Sequence, residues 1–350
     1  MNWNDFFTKL SAGSVENAYL FTGPEDFVKR EALEKLRAAL LPPGLEALNE
    51  NILEGTDAAH IVEAAETLPM MCDRRLVVVR DWGPLMGGKS RDEENETRRV
   101  LEYLDSANSG CCLVFYMRQE ADARKKLAAE MNKRGLTVDF AQLTEAEIVK
   151  WIASQLKKRQ KKISAACARQ LIFTAGRELT RLSGEIEKLS AYSGQRAEIT
   201  QEDIEEVVSP SLDFGAFDML NHLFDGDSAG AYRILQLMLE RGGNRVAILA
   251  SITRQLRGMT HLRLAAGGSS VAETAKLLNL NPYAAKIMAQ KAGKYAPEAL
   301  ESLYLEAVNA DADIKSGRMR DSAALDRLFI KISCLSPEKR NQTRASSVKG

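Results

Sequence analysis

Cysteine and histidine are scarce in this chain. Its 350 residues include five cysteines and three histidines. No two cysteines form a C-x-x-C pair, and their odd number leaves no complete disulfide set. The spacing argues against a zinc site or a disulfide framework, and a reducing, cytoplasmic compartment is the simple expectation. Cys111 and Cys112 lie inside an apolar run and read as small core residues. His60, His222 and His261 are far apart and carry no metal or catalytic motif, so each reads as structural. An excess of charge of one sign is also missing. The 48 basic and 48 acidic side chains give a formal net charge of zero. That removes any global attraction to nucleic acid or anionic lipid, and DNA contact would need a local patch. No apolar run approaches the roughly 18 residues of a membrane span. The opening MNWNDFFTKL carries Asp5 and lacks the apolar core of a secretory signal. No Ser/His/Asp, Cys/His or paired-carboxylate arrangement stands out, and no solenoid repeat is present.

What is there is an ordinary globular composition, 45% hydrophobic and 27% charged. It can build a sizeable core, and the length suggests two or three domains. Up to about residue 140, strands and helices alternate. Short apolar runs at 18–22 (AYLFT), 51–54 (NILE), 75–80 (RLVVVR), 111–117 (CCLVFYM) and 136–140 read as strands. Segments 27–41, 58–68, 96–104 and 123–134 read as helices between them. Strands that are apolar throughout imply a parallel sheet covered on both faces. After Phe140 the strand signals stop. Thr144 with Glu147 resembles a capping box opening a helix over 145–158. Helices follow at 165–175, 178–193 and 201–208, the last with Thr200 as its N-cap. Ser209-Pro210 marks a boundary, and 214–335 reads as all helical. Residues 336–350 are polar and weakly basic and read as a disordered tail.

Four segments invite a chemical reading. Gly83–Ser90 (GPLMGGKS) fits G-x-x-x-x-G-K-[ST], the phosphate-cradling loop, through Gly83, Gly88, Lys89 and Ser90. Three features count against it. The carboxylates of Asp92, Glu93, Glu94 and Glu96 follow at once and would repel a triphosphate. The next apolar strand ends in Arg118 rather than a magnesium-holding acid. The loop also follows the third strand rather than the first. It is therefore read as a chance match, with no cofactor and no metal expected. Lys157, Lys158, Arg159, Lys161 and Lys162 form a basic run that suits a phosphate backbone, or simply a solvated helix end. Residues 271–290 resemble a helix-turn-helix, but Ala284, Ala285, Ile287 and Met288 are poor readers of base edges, which favours a packed hairpin. Finally, Leu68-Pro69-Met70-Met71 places two flexible methionines in a connection between a helix and a strand. They are either core or a protein-binding tip.

These fragments, in this order, resemble one family: the delta subunit of the bacterial DNA polymerase III clamp loader. The resemblance spans about residues 15–335. It rests on YLFTGPEDFVKREAL, ETLPMMCDRRLVVVRDW, LKKRQKKIS, GRELTRLSGEIEKLSAYSG, ITRQLRGM, LNLNPYAAKIMAQKA and NADADIKSG. It implies an α/β domain of the AAA (RecA-like) type at 1–141 without a nucleotide site, a helical lid at 142–210 and a helical collar at 211–335. The phosphate loop would belong at Gly23-Pro24-Glu25-Asp26, where no Gly-Lys-Thr occurs. The implied role is to bind the sliding clamp through Met70 and Met71, with Leu68 and Pro69, and to stabilise its open form for placement on primed DNA. The family often carries Phe or Leu-Phe where this chain has Met-Met, and Gly where it has Gln160. Implied partners are the clamp, the ATPase and delta-prime subunits through 211–335, and DNA within the complex; no membrane and no catalysis of its own are implied. The rival readings are an active P-loop ATPase using Gly83–Ser90 and a stand-alone helix-turn-helix regulator.

Overall fold

The computed structural model describes residues 1–335 apart from 88–91, 108, 267, 269 and 279. The phosphate-loop candidates Gly88, Lys89 and Ser90 and the expected tail at 336–350 lie outside the described residues. The chain divides into two compact units, Met1–Glu147 and a second beginning at Ile148.

The first unit is a five-stranded parallel sheet between helices. Its strands are β1 (Ala18–Thr22), β2 (Glu50–Glu54), β3 (Arg75–Arg80), β4 (Cys111–Tyr116) and β5 (Thr137–Asp139), in the order β2-β3-β4-β1-β5. The three central strands are the continuous apolar runs, because parallel strands covered on both faces have no polar side. Leu76 to Val79 and Cys111 to Phe115 are all fully buried. One face packs on α4 (Ala58–Glu66), α5 (Glu93–Ser106) and α6 (Lys126–Lys133) through Val77, Val79, Leu113, Phe115, Ile61, Val100 and Met131. The other face meets α1 (Trp3–Ser11) and α2 (Asp26–Leu40). There Phe6 stands edge-on to Tyr19 and Phe21, with ring centroids 5.3 and 5.2 Å away. A single turn, α3 (Glu46–Asn49), leads into edge strand β2. The α4 helix ends at Glu66, two residues before the sequence expectation. Leu68 precedes a proline, whose ring pushes it out of the helical region.

The second unit is mostly helical. It contains α7 (Glu145–Lys158, whose first turn lies in the first unit), α8 (Ala165–Ala175), α9 (Leu179–Tyr192) and α10 (Gln201–Val207). The Thr144–Glu147 box closes in both directions: the carboxylate accepts from the Thr144 N–H at 2.7 Å, and the Glu147 N–H donates to the hydroxyl at 3.4 Å. The expectation of no strands here needs correcting. Two-residue strands β6 (Lys162–Ile163) and β7 (Glu198–Ile199) pair in parallel, and Ile199 of β7 is buried. Two residues are too few to show a period, so the sequence carried no strand signal. Seven further helices follow: α11 (Leu212–Phe224), α12 (Ser228–Glu240), α13 (Arg245–Ala265), α14 (Val271–Leu277), α15 (Pro282–Ala292), α16 (Pro297–Lys315) and α17 (Asp321–Ser333). They share one core. Contacts cross residue 210: Ser211 N–H donates to the Thr174 carbonyl at 2.8 Å, and Phe173 packs on Phe214 and Phe217. No described helix is long and apolar enough to cross a membrane.

Candidate docking site

The connection from α4 to β3 is pinned at both ends and exposed in the middle. At its far end Arg74 reaches the segment just before β1. Its guanidinium donates to the Val15 carbonyl at 2.9 Å, the Glu16 carbonyl at 3.1 Å and the Asn17 side-chain oxygen at 2.6 Å. Arg75 donates to Asn51 Oδ1 and, at 3.4 Å, to the Leu68 carbonyl. Between them the apolar side chains turn outward. Leu68 is 74% exposed, Met70 55% and Met71 83%. The reading of these methionines as core is therefore wrong for this fold. Large apolar side chains clustered at a surface mark a binding site more often than chance exposure.

Met71 sits at φ +57°, in the left-handed region. A residue other than glycine pays about 1 kcal/mol or more there. The turn is held by a residue that the sequence reading missed. Asn49, fully buried at the end of α3, accepts from the Met70 N–H at 2.7 Å. Its amide also donates to the Met70 carbonyl at 2.9 Å and to the Leu45 carbonyl at 3.1 Å. It treats Met70 as a neighbouring strand would. Nothing local in the sequence signals this, because the partners are 21 residues apart.

The basic run is less free than it looks. Arg159 bonds Glu187 at 3.2 Å, and the Lys161 ammonium donates to the carbonyls of Gly194 and Arg196 at 2.6 and 2.7 Å. Lys157, Lys158 and Lys162 are exposed. Gln160, where the family resemblance expects glycine, takes φ +59° to make the turn into β6.

The remaining candidates are structural. Gly83–Leu85 is a 3-10 turn in which Pro84 and Leu85 are buried in the core, while Gly83 is exposed. Ala284, Ala285 and Met288 of the helix-turn-helix candidate are buried in the second unit's core. His60 and His222 each bond a neighbouring aspartate, Asp57 and Asp227, at 2.8 Å. Burial pushes the Cys111 thiol up, and the Cys112 thiol further, which makes both inert at neutral pH. No group of three potential metal ligands occurs among the described residues.

The turn after β1 is closed by protein groups. Gly23 lies at φ +111°, and a Cβ there would meet the Phe140 carbonyl oxygen at 2.5 Å. The Glu25 N–H donates to that same carbonyl at 3.0 Å. Lys29, one turn into α2, is fully buried and donates to the Met117 carbonyl at 2.5 Å. Burial lowers its pKa. Asp26 accepts from the Tyr116 hydroxyl at 2.7 Å, at the helix end where a phosphate would otherwise sit.

Two family profiles match the chain. "DNA polymerase III, delta subunit" covers residues 19–141, and "DNA polymerase III delta subunit, C-terminal domain" covers 215–332. The chain is similar to DNA polymerase III subunit delta of Bacillus subtilis, 26% identical over 331 residues, covering 93% of this chain and 95% of that one. It is 21% identical over 251 residues to the subunit delta of Escherichia coli, covering 70% and 71%. Among solved structures, the Bacillus subtilis DNA clamp loader delta protein has the same fold, with a TM-score of 0.61 and 22% identity over 95% of this chain and 99% of that one.

Proposed function

The chain belongs to the DNA polymerase III delta-subunit family, clamp-loader components of DNA replication, and from that premise we propose that it binds the sliding clamp through Met70 and Met71 and holds the clamp open. The observation that carries this reading is the pinned, outward turn at residues 68–71. A ligand shifts an equilibrium only by its differential affinity for the two states. The subunit must therefore bind the open clamp more tightly than the closed one. A turn pre-set by Asn49 serves that end, since little ordering cost remains to be met on binding.

In this reading the chain's own α/β domain spends no nucleotide. Gly23 closing on Phe140, Asp26 at the α2 end and buried Lys29 leave no anion cradle after β1. ATP is bound and hydrolysed by partner subunits, which meet this chain through residues 211–335. Residues 142–210 serve as the lid and 211–335 as the collar. Lys157, Lys158 and Lys162, with Arg159 and Lys161, supply at most a modest contact to the backbone of primed DNA. Equilibrium binding of labelled ATP with magnesium is expected to be undetectable. Measurable binding lost on Lys89→Ala would overturn that.

Burying each methionine fully is worth about 1.5–3 kcal/mol. Met70→Ala with Met71→Ala is therefore expected to weaken clamp binding about a hundredfold or more. Because both side chains are exposed, the melting temperature should stay near that of the parent chain. A double variant that binds the clamp as the parent does would sink the reading.

A further inference from the structure

Ser209-Pro210 breaks the helical pattern, and a break of that kind is where two helical domains would be expected to swing. The structure instead ties down every backbone polar group there. Arg181 on α9 donates from Nη2 to the Ser209 carbonyl at 3.0 Å and to the Pro210 carbonyl at 2.9 Å. Glu185, one turn further along α9 and only 5% exposed, accepts from the Ser209 N–H at 3.3 Å. Lys188 pairs with Glu185 at 2.6 Å and donates to the Ser209 hydroxyl at 3.0 Å. The Ser211 N–H donates to the Thr174 carbonyl of α8, and the Ser211 carbonyl accepts from Gly215, both at 2.8 Å. Proline has no N–H to place. One residue before Thr174, Phe173 stands edge-on to Phe214 and Phe217 of α11 and to Tyr283 of α15, with ring centroids 5.1, 5.2 and 5.7 Å away. Helices on both sides of residue 210 therefore hold the connection.

We propose that Arg181, Glu185 and Lys188 form a strap that locks α7–α10 to α11–α17, so that the second unit moves as one lever with no hinge at residue 210. A hinge needs a few residues that can change φ and ψ freely. Here the middle residue is a proline with a fixed φ, and turning the chain on either side of it breaks several hydrogen bonds at once, three of them made by charged groups. The aromatic contact adds a second restraint, because Phe173 must leave the rings of α11 and α15 before α8 can swing. The division of the chain agrees: the compact unit that begins at Ile148 runs through residue 210 without a boundary. The consequence for function rests on the reading of residues 211–335 as the assembly surface. Movement imposed there by the ATPase subunits then passes along the second unit undiminished, because the joint at 209–211 cannot absorb it. Arg181 and Glu185 are positioning residues in this scheme and touch neither clamp nor nucleotide.

The test compares the full-length parent with Arg181→Met and with Arg169→Met, a control at an exposed arginine of α8 outside the strap. Native-state hydrogen exchange is read at two amides. That of Ser211 bonds Thr174 rather than Arg181, so it reports opening of the joint and not the deleted bonds themselves. That of Leu220, a buried residue of α11, reports unfolding of the core. In Arg181→Met the Ser211 amide is expected to exchange about tenfold faster or more, with Leu220 unchanged and the control like the parent. Exchange at Ser211 as slow as in the parent would overturn the strap. Equal acceleration at both amides would overturn it too, because that reports lost stability alone. The same chains are then assembled with their partner subunits and assayed for placing the clamp on primed DNA. Arg181→Met is expected to bind the clamp as the parent does but to load it more slowly. Loading at the parent's rate by a chain whose joint has opened would overturn the lever. A parent chain that fails to enter the loader through 211–335 would instead remove the assembly reading, which the exchange measurement does not use.

Discussion

At the scale of single residues, the tip depends on one buried amide. Asn49 offers its oxygen to the Met70 N–H and its NH₂ to the carbonyls of Met70 and Leu45. Asn49→Ala would leave the Met70 N–H and carbonyl without this partner, while the Leu45 carbonyl keeps the Leu48 N–H at 3.2 Å. Each unsatisfied group costs about 1–3 kcal/mol when buried, less where water reaches it. A loss of roughly 2–3 kcal/mol in stability is expected, together with about tenfold weaker clamp binding as Met71 leaves its left-handed turn. Asn49→Asp separates the two effects. It keeps the acceptor for the Met70 N–H and loses both donations, so its clamp affinity should fall between parent and alanine variant. If Asn49→Ala lowers stability but the folded fraction binds the clamp normally, the tip does not need its amide. Pro69, Met70 and Met71 were legible in the sequence as a break followed by misplaced apolar residues. Asn49 was not, because a polar side chain just before a strand looks like any turn residue.

Elements were legible in proportion to their length and burial. The strands at 75–80 and 111–116 could hardly be misread, since buried parallel strands are apolar at every position. The α7 and α10 caps were visible because a hydroxyl and a carboxylate three residues apart satisfy two helix-end donors at once. The two-residue strands β6 and β7 and the single turn α3 left no periodic trace. The α1 helix was also missed. Its inward face is carried by Phe6, with Asn2 capping it, in a stretch otherwise read only for targeting. Among the helices of the second unit, α16 and α17 are joined by Glu306, which accepts from Lys331 at 2.6 Å and also from Arg327. Those bonds, Lys331 first, hold its carboxyl below the usual glutamate value of 4.5. The unfolded chain therefore takes up this proton at a higher pH than the folded one. The contribution is fully present above about 4.5 and is lost as pH falls through the lowered value. Chemical denaturation at pH 7 and at pH 3.5 checks this. Glu306→Gln should be less stable at neutral pH and should lose less on acidification. Parallel losses in the two chains would mean that the pair does not link the helices.

For the whole molecule, the question is whether clamp binding and loader assembly separate along the chain. The first compact unit ends at Glu147, and it has a complete two-faced sheet core of its own. A domain of about 150 residues buries enough apolar surface to fold independently. The tip and the Asn49 brace both lie within it. Residues 1–147 alone should therefore fold cooperatively and bind the sliding clamp with an affinity within about tenfold of the full chain. The same fragment lacks residues 211–335, proposed above as the collar, so it should fail to join the other loader subunits in a co-purification. The two readouts need each other. Clamp binding by the fragment confirms that it is folded, and only then does its failure to assemble carry meaning. A folded, clamp-binding fragment that enters the loader as readily as the full chain would show that residues 211–335 are not the assembly surface. A fragment that folds but has lost the clamp would place part of the clamp contact beyond Glu147, and the tip would then be only one contact among several.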